Sequence, residues 1–139
     1  MLKGIDPLLT PDLLHALASM GHGDEIAIVD ANFPAVTIAR RLIAMPGADT
    51  LAVLRAVLSL FPLDTFERPA AFTMQVVGDA NAIPPPVAAF REALAPNDVG
   101  SIERHAFYAR ARNAFAVVQT GELRKYGNVL LVKGVISTS

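Results

Sequence analysis

The part of the chain with the clearest chemical potential is a histidine between two glycines, followed by an apolar run that ends on an aspartate. His22 lies between Gly21 and Gly23, and Asp30 closes the apolar run 26–29. The glycines let the backbone bend and leave the imidazole uncovered, and histidine gives and takes protons near neutral pH. A carboxylate at the end of an α/β strand lies where such sheets bind their ligands. These residues indicate proton-transfer chemistry on a polar small molecule.

Both residues also have a structural explanation, which the sequence leaves open. His22 could be a turn histidine that only precedes a strand. Asp30, at the end of an apolar strand, needs hydrogen-bond donors because an uncompensated buried carboxylate is costly. Those donors could be backbone N–H groups of the following loop or hydroxyl groups of a ligand.

Five further side chains could contribute to the same site. Arg104 and Tyr108 are four residues apart and would share a helix face, where a guanidinium and a phenol suit a polyhydroxylated ligand. A surface cation packed on a ring would explain that pair equally. Tyr126 and Asn128 precede the last predicted strand, where an ordinary turn would also account for them. Asp64 follows a predicted helix, and an ordinary turn would explain this residue as well.

The composition argues against several classes of function. A net charge of −1 gives no basic footprint for nucleic acid. Cysteine is absent and the three histidines are scattered, so we expect no disulfide, no thiol nucleophile and no metal site. The glycine motifs of dinucleotide and P-loop sites are also missing, and we expect no cofactor. Neither a signal peptide nor an apolar window of about 18 residues is present, so we expect a cytoplasmic protein without a membrane span.

The chain is unusually apolar for its size. Hydrophobic residues make up 53% of it and charged residues only 18%. A small monomer leaves roughly a third of its unfolded-chain surface exposed, and few charges are available here to cover that surface. A large apolar core would explain this composition, but we favour extensive interfaces between identical subunits.

Strand and helix patterns alternate along the chain. Helix starts are predicted at Thr10-Pro11, at Asp49 or Thr50, and at the prolines 84–86. The apolar residues of the predicted strand 25–30 do not alternate with polar residues, which is typical of a parallel strand covered on both faces. The sequence therefore predicts one domain over residues 1–139, a three-layer α/β/α sandwich with a central, mostly parallel sheet. The predicted strands are 25–30, 41–44, 71–77, 115–119 and 129–133, and a further helix is predicted at 103–113.

A series of motifs in fixed order resembles the L-fucose mutarotase family and its relative, D-ribose pyranase, nearly from end to end. The loop Asn32-Phe33-Pro34 and the segment Lys125-Tyr126-Gly127-Asn128 are similar to the fucose branch, whereas the ribose enzymes typically carry other residues at both places. The matching segments are 1–3, 7–14, 20–26, 30–35, 60–64, 106–111, 120–122 and 125–135.

The resemblance implies a cofactor-free isomerase that interconverts the α and β anomers of a monosaccharide, with L-fucose as the expected substrate. Acid/base-assisted opening and closure of the sugar ring would do this. It also implies a ring-like homo-oligomer, often a decamer, with sites built across subunit contacts. D-Ribose pyranase activity and a non-catalytic monosaccharide-binding protein are the alternatives. The implied residues are His22 as proton donor, Tyr126 or Tyr108 (or a water) as second catalytic partner, and Asp30, Arg104, Asn128 and Asp64 as sugar contacts.

Overall fold

The computed structural model describes residues 1–138, in which a six-stranded sheet lies between two layers of helices. The elements are α1 (Pro11–Ser19), β1 (Glu25–Val29), α2 (Ala35–Ile38), β2 (Leu42–Met45), α3 (Thr50–Leu58), β3 (Ala71–Met74), α4 (Pro85–Leu94), β4 (Gly100–Ile102), α5 (Arg104–Asn113), β5 (Ala116–Thr120) and β6 (Val129–Val132).

The sheet is mixed but mostly parallel. Its strand order is β2-β5-β1-β6-β3-β4. The pairs β1–β5, β2–β5 and β3–β4 are parallel, and β6 runs antiparallel to both of its neighbours, β1 and β3. Five strands of the described chain therefore point one way and β6 points the other. The predicted α/β class and mostly parallel sheet are confirmed.

The two faces of the sheet are covered by different helices. Along β1, Ile26 and Ile28 belong to a core cluster that also holds the apolar residues of α1, α3 and α4. Ala27 and Val29 belong to a second cluster with residues of α2 and α5. Because successive side chains of a strand point to opposite faces, a strand without polar alternation is buried on both sides. The predicted third layer is therefore present.

The predicted helix starts agree with the observed caps. The Thr10 hydroxyl accepts a hydrogen bond from the Leu13 amide, and Pro11 occupies the first helical position. The Asp49 carboxylate accepts one from the Ala52 amide at the start of α3. Such caps satisfy amides that have no partner within the helix.

Two short elements were not predicted, and one strand is shorter than expected. The chain leaves the sheet after Met74 and turns at residues 76–79, so the predicted strand 71–77 ends early. Strand β4 has three residues and pairs only with β3, too short a segment to show a pattern. Helix α2 is a single turn after Pro34 with no side-chain cap. Elements this short carry no periodic signal.

A buried hydroxyl network joins the layers near one end of the sheet. Thr50 is fully buried at the first position of α3, and its hydroxyl donates to the Gly127 carbonyl at 2.8 Å. It also lies 3.1 Å from the Thr120 hydroxyl, which donates to the Val29 carbonyl at 2.9 Å. The network ties α3, β1 and β5 to the loop that precedes β6.

We predict that Thr50→Val destabilises the protein by about 1–3 kcal/mol, because the buried Gly127 carbonyl loses its donor. Thr50→Ser keeps the hydroxyl and should lose clearly less. Urea denaturation at one fixed protein concentration measures both variants. A Val variant as stable as the wild type would show that the network adds nothing to stability.

Candidate functional site

The carboxyl ends of β1 and β3 open onto a polar cleft of about 160 Å³. Because β6 is antiparallel, the loop before it reaches the same edge of the sheet. The cleft brings together most of the predicted site residues and excludes His22 and Asp64. Its lining residues are Asp30, Asn32, Phe33, Met74, Arg104, Tyr108, Lys125, Tyr126 and Asn128.

Asp30 lies at the floor of the cleft, 4% exposed. Its amide donates to Oδ1 of Asn128 at 2.8 Å, and the Asn32 amide donates to Oδ1 of Asp30 at 3.0 Å. Burial raises the pKa of the Asp30 carboxyl, while hydrogen bonds from Asn32, Phe33, Asn128 and Gly127 act in the opposite direction. The loop amides thus offset part of the cost of burying the Asp30 carboxylate, and the carboxylate still borders the cleft.

One wall of the cleft comes from the start of α5. The Glu103 carboxylate caps this helix, and Arg104 and Tyr108 lie one turn apart on it, on the same face as their spacing predicts. The Phe33 ring meets Tyr108 edge-on at 5.2 Å between centroids, and meets Phe107 at 5.9 Å. These aromatic contacts hold the phenol against an apolar wall.

The opposite wall is the loop that leads into β6. The Arg124 guanidinium donates two hydrogen bonds to the buried Glu122 carboxylate, at 2.9 and 3.2 Å, which lowers the pKa of Glu122. A Cβ atom at Gly127 would lie 2.7 Å from Cγ of Glu122, so this close turn requires glycine. Tyr126 has a left-handed backbone, with φ of 63°. Such a conformation is uncommon outside glycine and persists where the surroundings enforce it.

His22 is held in a tight turn between α1 and β1. The Asp24 amide donates to the Gly21 carbonyl at 3.1 Å, and Gly23 follows His22 with φ of +86°. This is a type II arrangement in which the third residue needs a positive φ, so glycine after the histidine is a geometric requirement. The Asp24 carboxylate also accepts from the Gly21 amide at 2.8 Å.

Lys133 fixes this turn from the end of β6. Its ammonium donates to the carbonyls of Leu17 and Met20, at 2.7 and 2.6 Å, at the carboxyl end of α1. Its backbone accepts from the Gly23 amide and donates to the Asp24 carbonyl, both at 2.8 Å. A cation at a helix carboxyl terminus is favoured by the helix dipole. One residue therefore anchors both sides of the histidine turn.

Asp64 orients the His22 ring. Nε2 of His22 lies 3.0 Å from Oδ1 of Asp64, whose carboxylate also accepts from the amides of Phe66 and Glu67. Because the carboxylate only accepts, we assign the hydrogen to Nε2, which leaves Nδ1 as the nitrogen that can exchange a proton. The bond from His22 is the main reason that the pKa of Asp64 is lowered.

His22 and the cleft lie at opposite ends of β1. His22 precedes the strand, whereas Asp30 follows it. Five strand residues at about 3.3 Å each separate them by roughly 16 Å. One monosaccharide cannot touch both groups of the same chain.

Four residues that line the cleft were not among the predicted site residues: Asn32, Phe33, Met74 and Lys125. Met74 lines the cleft because of the order of the strands in the sheet, which cannot be read from the sequence. Lys125 is next to a predicted site residue. Within residues 1–138, no three side chains of the His, Asp, Glu or Cys type form a group that could hold a metal ion. None of the helices in this part of the chain is long and apolar enough to cross a membrane.

Comparison with known proteins identifies the family. The sequence model of the RbsD / FucU transport protein family matches residues 3–136, and the chain belongs to this family. The fucose mutarotase from Streptococcus pneumoniae, solved in complex with L-fucose, is 37% identical, with a TM-score of 0.92 over 98% of this chain and 100% of that one. FucU from Bifidobacterium longum is 38% identical, with a TM-score of 0.84 over 97% and 100%. The predicted resemblance to the L-fucose mutarotase family is confirmed.

A third structure shares the fold. RbsD from Bacillus subtilis, complexed with D-ribose, gives a TM-score of 0.80 over 99% of this chain and 100% of that one, at 21% identity. At this level of identity, the match shows a shared fold and carries no conclusion about the ligand.

We predict that Asp64 stabilises the protein in a pH-dependent way. Its pKa is lowered from 3.8, so its contribution is present above that value and is lost as the pH falls through the folded-state pKa. The stability difference between wild type and Asp64→Asn should thus shrink as the pH falls below about 3.8. Thermal unfolding across a pH series measures it.

His22→Ala serves as the matched background for this experiment, because it removes the main cause of the shift. The effect of Asp64→Asn should be smaller in that background. An effect of Asp64→Asn that is independent of pH would contradict the role of the carboxylate.

Proposed function

We propose that the chain is a sugar mutarotase that interconverts the α and β anomers of L-fucose, with residues 1–139 acting as one catalytic domain. The observation that carries this proposal is the cleft, which joins a buried carboxylate, a guanidinium, two phenols and an amide beside an aromatic wall. Groups of this kind bind a polyhydroxylated ring, and the fucose mutarotase at 37% identity adds support.

We propose further that each active site is shared between two subunits. His22 of one subunit would complete the cleft of its neighbour, since the two lie at opposite ends of β1. The surroundings of His22 support this idea, because it borders an open apolar groove of about 470 Å³ whose walls include Leu14, Leu60 and Ile136. Leu60 and Ile136 are 45% and 79% exposed, and exposed apolar surface of this kind favours association. The active species is then a homo-oligomer, and the ring-like decamer implied by the resemblance fits a head-to-tail contact.

The reaction requires two proton transfers. A pyranose opens when its ring oxygen gains a proton and its anomeric hydroxyl loses one, then rotates about C1–C2 and closes on the other face. His22 exchanges the ring-oxygen proton through Nδ1, while Asp64 accepts the hydrogen bond from Nε2–H and holds the ring in place. Each positioned acid or base contributes on the order of 10²–10⁴ in rate. Asp30 accepts hydrogen bonds from sugar hydroxyls, and Arg104 donates to a hydroxyl oxygen.

The preference for L-fucose rests on the apolar part of the cleft. Phe33 and Met74 are both 5% exposed, and both line the cleft among polar groups. L-Fucose carries a methyl group on C5 that ribose lacks, and this wall offers it a dry surface. One methyl group in an apolar pocket gives about 1–3 kcal/mol, or roughly 10–200-fold discrimination.

A mixing experiment tests the shared site. His22→Ala and Asp30→Asn should each abolish accelerated anomer exchange, measured by saturation-transfer NMR, while light scattering shows intact oligomers of several subunits. Co-expression of the two variants in equal amounts should restore about a quarter of wild-type activity, because that share of sites pairs an intact His22 with an intact cleft.

The controls are each variant co-expressed with itself. Restoration shows that the two groups act across a subunit contact. If the mixture stays inactive, or if a stable monomer of the wild type is fully active, the shared site is wrong. Full exchange in His22→Ala alone would remove its role as acid. Wild-type protein that binds the sugar without accelerating exchange would favour a simple sugar-binding protein.

A sugar panel tests the preference. L-Fucose, L-galactose and D-arabinose share their configuration at C2 to C4 and differ only in the C5 substituent, which is methyl, hydroxymethyl or hydrogen. We predict that wild type accelerates L-fucose exchange about 10–200-fold more than D-arabinose exchange. Met74→Ala should narrow this gap and Met74→Leu should preserve it. D-Ribose exchanged as fast as L-fucose would instead favour the ribose pyranase activity.

A further inference from the structure

A buried carboxylate lies behind the wall of the cleft that carries Tyr126 and Asn128. Glu122 is 5% exposed, does not line the cleft, and has no step in the reaction described above. A buried charge is costly unless it is paired and hydrogen-bonded. The contacts of Glu122 therefore show what the protein gains from keeping a carboxylate at this place.

The carboxylate of Glu122 is held by Arg124, two residues further along the same loop. The Arg124 amide and its Nε both donate to Oε2, at 3.3 and 3.2 Å, and Nη2 donates to Oε1 at 2.9 Å. These three hydrogen bonds fold the chain back on itself. The pair, named here the clamp, lies at the base of the loop 121–128.

The clamp is anchored to the ends of two strands. The Glu122 carbonyl accepts a hydrogen bond from the Ala31 amide at 2.9 Å, just beyond β1. The Glu122 amide donates to the Thr120 hydroxyl at 3.2 Å, and Thr120 belongs to the buried hydroxyl network at the end of β5. The main chain of Glu122 is thus fixed to the sheet, while its carboxylate is fixed to the loop.

The far end of the loop packs on the same side chain. A Cβ atom at Gly127 would lie 2.7 Å from Cγ of Glu122 and 3.4 Å from the carbonyl oxygen of Arg124. The loop is therefore closed around the clamp, and this close approach is possible because Gly127 has no side chain.

Tyr126 needs this closure because its backbone is strained. Its φ of 63° is a left-handed conformation that costs free energy, and it persists where the surroundings enforce it. After Tyr126, the chain is held by the bond from Thr50 to the Gly127 carbonyl. The bond from the Asp30 amide to Asn128 holds the following residue. The clamp restrains the chain on the other side of Tyr126.

We propose that Glu122 is a positioning residue of the sugar site, and that the clamp holds Tyr126 and Asn128 in the wall of the cleft before a sugar binds. This inference rests on the proposed mutarotase function. A loop organised in advance does not have to be ordered by the ligand, so less binding free energy is lost. Without the clamp, only the fraction of molecules with an ordered loop binds sugar, and KM rises by the inverse of that fraction. Saturating sugar selects the ordered loop, which leaves kcat nearly unchanged.

The charge of Glu122 depends on its partner. The side-chain hydrogen bonds from Arg124 are the main reason that the pKa of Glu122 is lowered, while burial acts in the opposite direction. The pKa of Arg124 is raised chiefly by Glu122 and to a smaller extent by Asp49, the cap of α3. Asp30 lies on the other side of Gly127. Removal of the guanidinium leaves burial as the largest influence, so Glu122 takes up a proton at a higher pH.

Single and double variants test the clamp. The Arg124 side chain is 48% exposed, so Arg124→Gln should fold. We expect Arg124→Gln and Glu122→Gln each to raise KM for L-fucose about tenfold, with kcat changed less than about twofold. The double variant should raise KM no further than either single one, because both remove the same interaction. Leu123→Ala is the matched control, since Leu123 lies between the two and is 82% exposed, and it should behave as wild type.

The pH dependence of KM separates positioning from general damage. In Arg124→Gln, KM should rise on acidification from a higher pH than in wild type, because Glu122 becomes neutral sooner. The double variant should lack this displacement, since it has no carboxylate at position 122. His22 and Asp30 titrate in every one of these proteins, so their effects cancel in the comparison. A profile of Arg124→Gln that coincides with that of wild type would overturn the proposal, as would losses of KM that multiply in the double variant.

Hydrogen exchange tests the loop without reference to activity. In sugar-free Arg124→Gln, the amides of residues 122–128 should exchange faster than in wild type, and saturating L-fucose should restore their protection. Unchanged exchange would refute the clamp. Wild-type protein that does not accelerate anomer exchange at all would refute the mutarotase function and this inference with it, whereas an active wild type whose KM is unchanged by Arg124→Gln would refute the inference alone.

Discussion

The antiparallel pairing of β6 with β1 is the constraint on which the rest of the site depends. Its register places Val129 opposite Ile28 and Val132 opposite Glu25. The loop before β6 therefore meets Asp30 at one end of β1, while Lys133 meets the histidine turn at the other. A slip of one residue would turn every side chain of β6 to the wrong face of the sheet. It would also move the loop before β6 away from Asp30, and Lys133 away from the histidine turn.

Much of the fold could be predicted from the sequence because its signals are local. Caps such as Thr10 and Asp49, and apolar runs such as 26–29, define elements without reference to the rest of the chain. The direction of β6 could not be predicted, because a strand buried on both faces shows the same pattern in either orientation. The short elements β4 and α2 depend on their neighbours in space, which a pattern of four residues cannot describe.

The candidate site divides in the same way. Residue types and motifs predicted five of the residues that line the cleft, and the spacing of Arg104 and Tyr108 placed those two on one helix face. That Asp64 holds the His22 ring, rather than lining the cleft, depends on tertiary structure.

The placement of His22 and the cleft at opposite ends of one rigid strand has a thermodynamic consequence under the proposed shared site. A sugar bound between two subunits contributes its binding free energy to their association, and association strengthens sugar binding by the same factor. The population of assembled protein then depends on sugar concentration as well as on protein concentration. Subunit assembly and ligand occupancy are therefore a single linked equilibrium. The length of β1 sets the distance, within each subunit, between the histidine and the cleft that take part in it.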